Sequence, residues 1–410
     1  MDCRNYDASA YAERVLREQK LAGSVIYAAL HVPGDHVNMS PRELGNETWP
    51  STSAAPRFVA CASSSGRVSV HSLASLVASQ CARAPGEGGG GPWGQAGEGA
   101  RRLGEAQPAA AVQAHRGAAF GLKTCAMGEQ PLLFSCGDDG RVAGWRWGDL
   151  LTSTPAHHAA QAPQVAPCVD LVNPPTTWAA ARGVAVVPET NAIDVDEQRN
   201  VIYSATGNGC AYAWDVETHK QVAEFRGHSD YLHCVVARPQ HNQIVTGSED
   251  GTCRVWDCRT AAAVLCLNPF TARQAPLSPS SSSSPSLPWV SSVATDSTAP
   301  WLLCGTGGGT ASLFSLQAPA SALLHVSLGA PVHAVAMGRD ADEILVAGAS
   351  SVLTRLTFAG QLKSLTATAT PSVYSLHSHA PSQVTPSLEA PFQMVTPFYD
   401  NTLFLGTSRS

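Results

Sequence analysis

The segment that decides the fold is "GHSDYLHCVVARPQHNQIVTGSEDGTCRVWDCRT", which runs from Gly227 to Thr260. It begins with a Gly-His pair, contains a Trp-Asp pair near its end, and carries Thr246 and Asp250 between them. A histidine, a hydroxyl and a carboxylate are the residue types of a hydrolase triad. The same three groups also form hydrogen-bond chains that brace a protein interior. The first question is therefore whether His228, Thr246 and Asp250 are catalytic or structural.

The constellation recurs elsewhere in the chain, with the carboxylate and the tryptophan at the same offsets from the hydroxyl residue. A third segment repeats it in part, with Ser204, Asn208 and Trp214. A catalytic site is normally built once, and no Gly-x-Ser-x-Gly elbow is present. A buried indole N–H also needs an acceptor, which the hydroxyl supplies. We therefore predict no catalytic site and two structural tetrads: His228, Thr246, Asp250 and Trp256; and His115, Ser135, Asp139 and Trp145.

Short apolar runs, each followed by a Gly/Asp/Asn/Ser turn and an alternating run, surround these residues and predict β-hairpins. In the opening segment we expect strands at 231–237, 243–247, 252–256 and 263–267. One column of the aligned hairpins recurs every ~42 residues once insertions are removed, which is the length of a four-stranded propeller blade. A degraded seventh unit is "FQMVTPFYDNTLFLGTS". The column reads His71, Trp145, Trp214, Trp256, Phe314 and Leu356.

The prediction is thus an all-β, seven-bladed propeller with a short N-terminal helix and long low-complexity loops. We expect a helical extension at 1–22, with Tyr11, Val15 and Leu16 on its apolar face, and a single propeller at 23–410. The Gly-, Ala-, Pro- and Ser-rich insertions are expected to be disordered. They lie near 79–108, 151–178, 271–288 and 378–391.

The last unit determines how the predicted ring closes. The seventh unit has Thr396 and Asp400 but no tryptophan, and we expect it to lack a fourth strand of its own. We expect either a three-stranded last blade or pairing with an N-terminal segment, because an open edge invites unwanted pairing.

Composition excludes several functions. The net charge is −6 and no Lys/Arg run is longer than Arg101-Arg102, so we expect neither direct nucleic-acid binding nor a membrane-surface patch. The first residues lack the apolar region of a secretory signal. The 12 cysteines contain no CxxC pair, so we predict no metal site and no cofactor.

The motif residues resemble a known family. "GHSDYLHC" and "VTGSEDGTCRVWDCRT" resemble a WD repeat. Together with "WVSSVATDS", "FSCGDDGRVAGWRW" and "FVACASSSGRVSVHSLASL", they are similar to the THO complex subunit 6 family. The resemblance implies a non-enzymatic, seven-bladed scaffold of the nuclear THO complex, which joins the TREX machinery for mRNA processing and export. It also implies contacts with other THO subunits, including coiled-coil ones.

Two surfaces are candidates for partner binding. Asp230 and Tyr231 precede an innermost strand, where an exposed Tyr suits an interface anchor, although such a residue also packs between blades. Asp257 and Arg259 lie in a Trp-Asp-x-Arg sequence that resembles the docking box for the adaptor of a cullin-4 RING ubiquitin ligase. The alternative function is therefore a substrate receptor of that ligase. The simpler interpretation is that Asp257 ends a strand and Arg259 is solvated.

Overall fold

The computed structural model describes thirteen stretches of the chain. Within them, no helix has the length and apolar character needed to cross a membrane. The stretches are 26–32, 58–72, 100–102, 108–126, 131–152, 165–176, 186–274, 288–296, 299–338, 342–368, 372–378, 392–397 and 402–407.

Most of these residues form antiparallel sheets that the chain builds one after another. The strands of the first three sheets, in chain order within each, are β1 (Ile26–Val32), β2 (Phe58–Ser63), β3 (Arg67–Ser72) and β5 (Ala110–Gln113); β6 (Ala119–Cys125), β7 (Leu132–Gly137), β8 (Arg141–Arg146) and β9 (Val169–Val172); and β10 (Thr190–Asp196), β11 (Val201–Thr206), β12 (Cys210–Asp215) and β13 (Lys220–Arg226).

The next three sheets follow the same plan, with one extra short strand in the first of them. Their strands are β14 (Leu232–Arg238), β15 (Gln243–Ser248), β16 (Cys253–Asp257), β17 (Ala262–Asn268) and β18 (Arg273–Gln274); β19 (Val290–Thr295), β20 (Trp301–Thr306), β21 (Thr310–Ser315) and β22 (Leu324–Ser327); and β23 (Val332–Met337), β24 (Glu343–Gly348), β25 (Val352–Thr357) and β26 (Leu362–Ala367).

We call these six sheets blades one to six. The first strand of each blade lies against the first strand of the next, from β1 to β6 and onward to β23. The second strand of a blade is buried along almost its whole length, because neighbouring blades cover both of its faces. Apolar clusters accordingly form between blades: one of them joins Tyr203 and Phe225 of blade three to Leu232 and Trp256 of blade four.

A further sheet lies between blades six and one, where β27 (Val373–Ser378) contacts both β23 and β1. It continues with β28 (Phe392–Pro397) and β29 (Thr402–Thr407). Its fourth strand is β4 (Ala100–Arg102), in which Arg101 pairs with Leu403 of β29. We call it the composite sheet, because its fourth strand comes from the insertion inside blade one.

The prediction of a seven-bladed propeller is therefore wrong: the structure has six blades. We count as a blade a sheet whose own repeat supplies at least four strands, and the seventh unit supplies only three. Among the described residues, closure also differs from both expected forms, because the last sheet has four strands and its fourth strand is not an N-terminal segment. The strand that completes it lies inside the insertion expected at 79–108.

The described residues do not test the predicted N-terminal helix. The helix expected at 1–22, with Tyr11, Val15 and Leu16, lies outside the described residues. Within those residues the single α-helix is the short α1 (Trp147–Thr152), which the sequence did not indicate. It buries Trp147 and Leu150, and the Trp147 ring stacks on Phe58 of blade one with centroids 6.1 Å apart.

Candidate functional site

The first predicted tetrad lies at the boundary between blades three and four, beside the hairpin that joins β15 to β16. Its members form one continuous chain of hydrogen bonds. His228 Nδ1 lies 2.8 Å from Asp250 Oδ2, and His228 Nε2 lies 2.8 Å from Thr246 Oγ1. The indole Nε1 of Trp256 donates to the same Oγ1 at 2.8 Å. The four side chains thus come from four successive segments: the loop before β14, β15, the turn after β15, and β16.

Every hydrogen-bonding group in this chain is satisfied when His228 is neutral. Nδ1–H then donates to the carboxylate of Asp250, and Nε2 accepts the hydroxyl proton of Thr246. The Thr246 oxygen is left to accept the indole N–H of Trp256. The carboxylate also receives the backbone N–H of Thr252 at 2.9 Å.

The pKa shifts agree with this arrangement. Burial lowers the pKa of His228, although the negative charge of Asp250 opposes the shift. Burial alone would raise the pKa of Asp250, but its hydrogen bonds with His228 and Thr252 outweigh that effect and lower the pKa to about 2. Asp250 is thus ionised and His228 neutral near pH 7.

The burial of the tetrad determines whether a substrate could reach the Thr246 hydroxyl. Thr246 is completely buried and Trp256 is 1 % exposed. A hydrolase needs its nucleophile open to substrate beside an oxyanion hole. The Thr246 hydroxyl instead accepts an indole N–H, so the structure gives it the geometry of an internal brace.

The second predicted tetrad assembles only in part. His115 Nδ1 lies 2.8 Å from Asp139 Oδ1, and His115 Nε2 lies 2.7 Å from Ser135 Oγ. The indole of Trp145, however, donates to the backbone carbonyl of Val165 at 3.3 Å and not to Ser135. The long connection between β8 and β9 passes beside Trp145 and offers this other acceptor. Blade two therefore has a triad of side chains where a tetrad was expected.

Blade three keeps the other half of the pattern. Trp214 Nε1 donates to Ser204 Oγ at 3.0 Å. Asn208 does not join them, because its amide bonds to Thr206 and Tyr212 within the same hairpin. The column residues nevertheless occupy equivalent positions in their blades. Trp214 pairs with Ile202 as Trp256 pairs with Ile244.

Asp230 and Tyr231 lie immediately before β14, beside the hairpin that joins β15 to β16. Tyr231 is 39 % exposed, and its backbone carbonyl accepts the N–H of Glu249 at 2.8 Å. Asp230 is half-buried, and its carbonyl accepts the hydroxyl of Ser248 at 3.1 Å. The backbone of this pair is thus fixed, while the Tyr231 side chain is partly open to solvent.

At the opposite end of blade four, Asp257 is the last residue of β16 and Arg259 lies in the turn after it. Arg259 forms a two-point ion pair with Asp257, with Nε to Oδ1 at 3.0 Å and Nη2 to Oδ2 at 2.6 Å. The hydrogen bonds from Arg259 lower the pKa of Asp257 to about 2. The Arg259 side chain is 73 % exposed and that of Asp257 is 18 % exposed, so the pair is a surface feature.

Two polar sites were missed by sequence reasoning. Ser312 in blade five bonds to His325 Nδ1 at 2.8 Å and to the carbonyl of Pro269 at 2.6 Å. Arg238, at the end of β14, is 4 % exposed. Neither residue belongs to a Gly-His or Trp-Asp pattern, so no motif marked them.

The cysteines of the described residues are free thiols. Burial raises the pKa of several of these thiols, and that of Cys61 to about 12. Within the same residues, no cluster of three or more His, Cys, Asp or Glu side chains has a metal-binding arrangement.

Known proteins resemble both the repeat and the whole chain. Residues 219–257 match the family model described as WD domain, G-beta repeat. A protein of Arabidopsis thaliana named THO complex subunit 6 is 34% identical over 380 residues, covering 92% of this chain and 90% of its own. This chain belongs to the THO complex subunit 6 family. The family member of Homo sapiens is 26% identical over 335 residues, covering 80% of each chain.

The fold comparison agrees with the family. The crystal structure of the WD40 β-propeller domain of Doa1 superposes with a TM-score of 0.57, at 13% identity, covering 95% of this chain and 98% of that one. A WD40 propeller in the THO complex subunit 6 family is typical of a non-enzymatic scaffold, and these findings support a scaffold role related to THO.

Proposed function

We propose that this chain is a scaffold subunit of the nuclear THO complex, acting in mRNA processing and export through TREX by protein–protein contacts alone. The observation that carries the proposal is the similarity to the Arabidopsis protein, which extends over 92% of the chain. Its partners are the other THO subunits, including coiled-coil ones, and its place of action is the nucleus.

The geometry of the two hydrogen-bond chains supports a role without catalysis. Their reactive groups are enclosed between blades, and Thr246 and Ser135 are both fully buried. What remains for function is the outer surface. Because the net charge is −6, this surface is better suited to protein partners than to a phosphate backbone.

On this surface we assign Tyr231 and Asp230 to partner contact. A tyrosine at an interface supplies a large contact area with little loss of side-chain freedom. The backbone of this pair is anchored by the hairpin of β15 and β16, so Tyr231 is presented from a rigid support.

Affinity purification of the full chain from nuclear extract tests the proposal. We expect THO subunits in stoichiometric amounts, in a complex that survives nuclease treatment. Recovery of the folded chain without any THO subunit would reject the proposal, and loss of the subunits on nuclease treatment would reject direct protein contact.

A second candidate function is a substrate receptor of a cullin-4 RING ubiquitin ligase. The exposure of Arg259, at 73 %, favours it, because a docking arginine has to be accessible. The ion pair with Asp257 acts against it, because docking would have to displace or reuse that contact. Recovery of the ligase adaptor in the same purification, lost on Arg259→Ala, would support this function.

A further inference from the structure

A cavity of about 370 Å³ lies between blades four and five, at the end of the molecule where β14 meets the turn before β15. Its polar lining is Arg238, His241, Gln243 and Gln317, and its apolar lining includes Val264, Leu265, Pro300 and Leu316. None of the described residues that line it carries a carboxylate.

Arg238 is the unusual residue of this cavity. It is 4 % exposed, yet its hydrogen bond is to a neutral group, from Nη1 to Gln243 Oε1 at 2.7 Å. Its buried Nε has no hydrogen-bond partner in the part of the chain that the structure describes. Burial lowers the pKa of Arg238, and the charge of Asp296 only opposes that shift. A buried guanidinium with an unpaired donor is costly, because an unsatisfied charged group loses its hydration without compensation.

Two other blades resolve the same problem with an ion pair. At the equivalent end of β10, buried Asp196 pairs with Arg199. In blade six, buried Glu343 accepts a hydrogen bond from Arg355 Nε at 2.9 Å. These buried charges have partners of opposite sign within their own blade. Arg238 has an amide in place of a carboxylate.

The apolar part of the cavity also leaves hydrophobic surface exposed to solvent. Val264 of β17 is 48 % exposed, although it lies beside the buried Leu265. The volume is within the usual range of ligand pockets and exceeds what one carboxylate would occupy. A ligand that fits would therefore carry a negative charge and an adjoining apolar group.

We propose that this cavity binds an acidic side chain of a partner protein, a glutamate or aspartate whose carboxylate pairs with Arg238 while a neighbouring aliphatic residue packs against Val264 and Leu316. This assignment rests on charge complementarity. The cavity contains a buried guanidinium and its described lining has no carboxylate, so a carboxylate from a partner would supply the missing negative charge. The proposal does not depend on which complex the partner belongs to.

Stability separates this role from a structural one. In Arg238→Met the unpaired charge is replaced by an apolar side chain of similar length, so the melting temperature should stay unchanged or rise. The matched control is Arg199→Met, which removes the cationic partner of the buried carboxylate of Asp196 and should lower the melting temperature. An equal loss of melting temperature in both variants would assign Arg238 to the fold and overturn the proposal.

Binding is tested on the full chain with the peptide acetyl-Leu-Glu-Val-amide and its glutamine counterpart. The readout is the ¹⁵N-arginine side-chain Nε–H signal of Arg238, assigned by its disappearance in Arg238→Met. We expect the glutamate peptide to shift this signal and to bind roughly tenfold or more tightly than the glutamine peptide. Equal effects of the two peptides, or no shift at all, would overturn the proposal.

A third titration, with acetate, identifies the source of the carboxylate. Binding of the glutamate peptide that is tighter than that of acetate supports a protein partner, because the aliphatic neighbours then contribute. Equal affinity for acetate and the peptide would reduce the cavity to a simple anion site and would overturn the assignment to a protein side chain.

Discussion

The indole Nε1 of Trp256 lies 2.8 Å from the hydroxyl oxygen of Thr246. One threonine thereby serves an indole and an imidazole at once, because His228 Nε2 approaches the same oxygen at 2.8 Å. The hydroxyl donates one hydrogen bond and accepts another, so its removal would strand two buried nitrogens. Within this chain of hydrogen bonds, the loss of the Thr246 hydroxyl should therefore lower stability the most.

Thr246→Val keeps the shape of the side chain and removes its hydroxyl. We expect unfolding free energy to fall by about 2–4 kcal/mol, since each buried group left unsatisfied costs about 1–3 kcal/mol. Ser204→Ala is the matched control, because its hydroxyl serves Trp214 without a histidine, and it should lose roughly half as much. Urea unfolding of both variants measures the difference. Equal losses would mean that the histidine bond contributes nothing.

His228→Ala removes the centre of the first tetrad. It leaves Asp250 and Thr246 without their histidine partner, so stability should fall by about 1–3 kcal/mol. His241→Ala, at an exposed position of the turn before β15, should change stability by less than about 0.5 kcal/mol. A His228→Ala protein as stable as this control would contradict the bracing role.

As the pH falls, protonation of His228 should destabilise the protein at a higher pH than protonation of Asp250 does. The folded-state pKa of His228 lies below its ordinary value of 6.5, so the unfolded chain binds more protons below that pH. The stability that neutral His228 contributes to the folded state is therefore present above about pH 6.5 and is lost as the pH falls. The pKa of Asp250, lowered to about 2, adds stability above about pH 4 that disappears toward pH 2.

The measurement is the urea midpoint between pH 7.5 and 5. We expect His228→Gln to have a shallower pH dependence than the parent chain. A His228→Gln curve parallel to the parent curve would show that this histidine does not titrate with unfolding.

Tyr231→Ala should weaken the capture of THO subunits at least several-fold without changing the melting temperature, because an aromatic anchor at an interface is worth about 2 kcal/mol or more. Val222→Ala, exposed on the outer strand β13, is the matched control and should leave capture unchanged. Unaltered capture in Tyr231→Ala would remove this residue from the interface.

Arg101→Pro tests the composite sheet. Proline removes the N–H of the residue that pairs with Leu403, so β4 should separate from β29. We expect faster limited proteolysis and a loss of roughly 0.5–3 kcal/mol. Gln95→Pro, in the same insertion but outside the described strand, is the control. Equal proteolysis of the two variants would argue against the pairing.

The quoted segment predicted blade four almost residue by residue. Strands were expected at 243–247 and 252–256 and occur at Gln243–Ser248 and Cys253–Asp257. The turn chemistry between them is local, with Gly251 at φ 77°, so short-range sequence determines it.

Contacts set by distant segments were not predictable in the same way. Trp145 has the same offset from Ser135 as Trp256 has from Thr246, yet its indole donates to Val165. The acceptor belongs to a connection whose path no local pattern describes. Arg238 was overlooked for a similar reason, because its burial depends on blade five packing against blade four.

The composite sheet has a consequence for the order of folding. β4 and β29 are separated by about three hundred residues, and such remote pairing forms slowly because loop closure is entropically unfavourable. During synthesis, blades two to six become available in succession while β4 is already made but has no partner. β4 is therefore able to pair only after β29 has been made, and until then the nascent chain exposes an unpaired strand edge, which is prone to association with other chains.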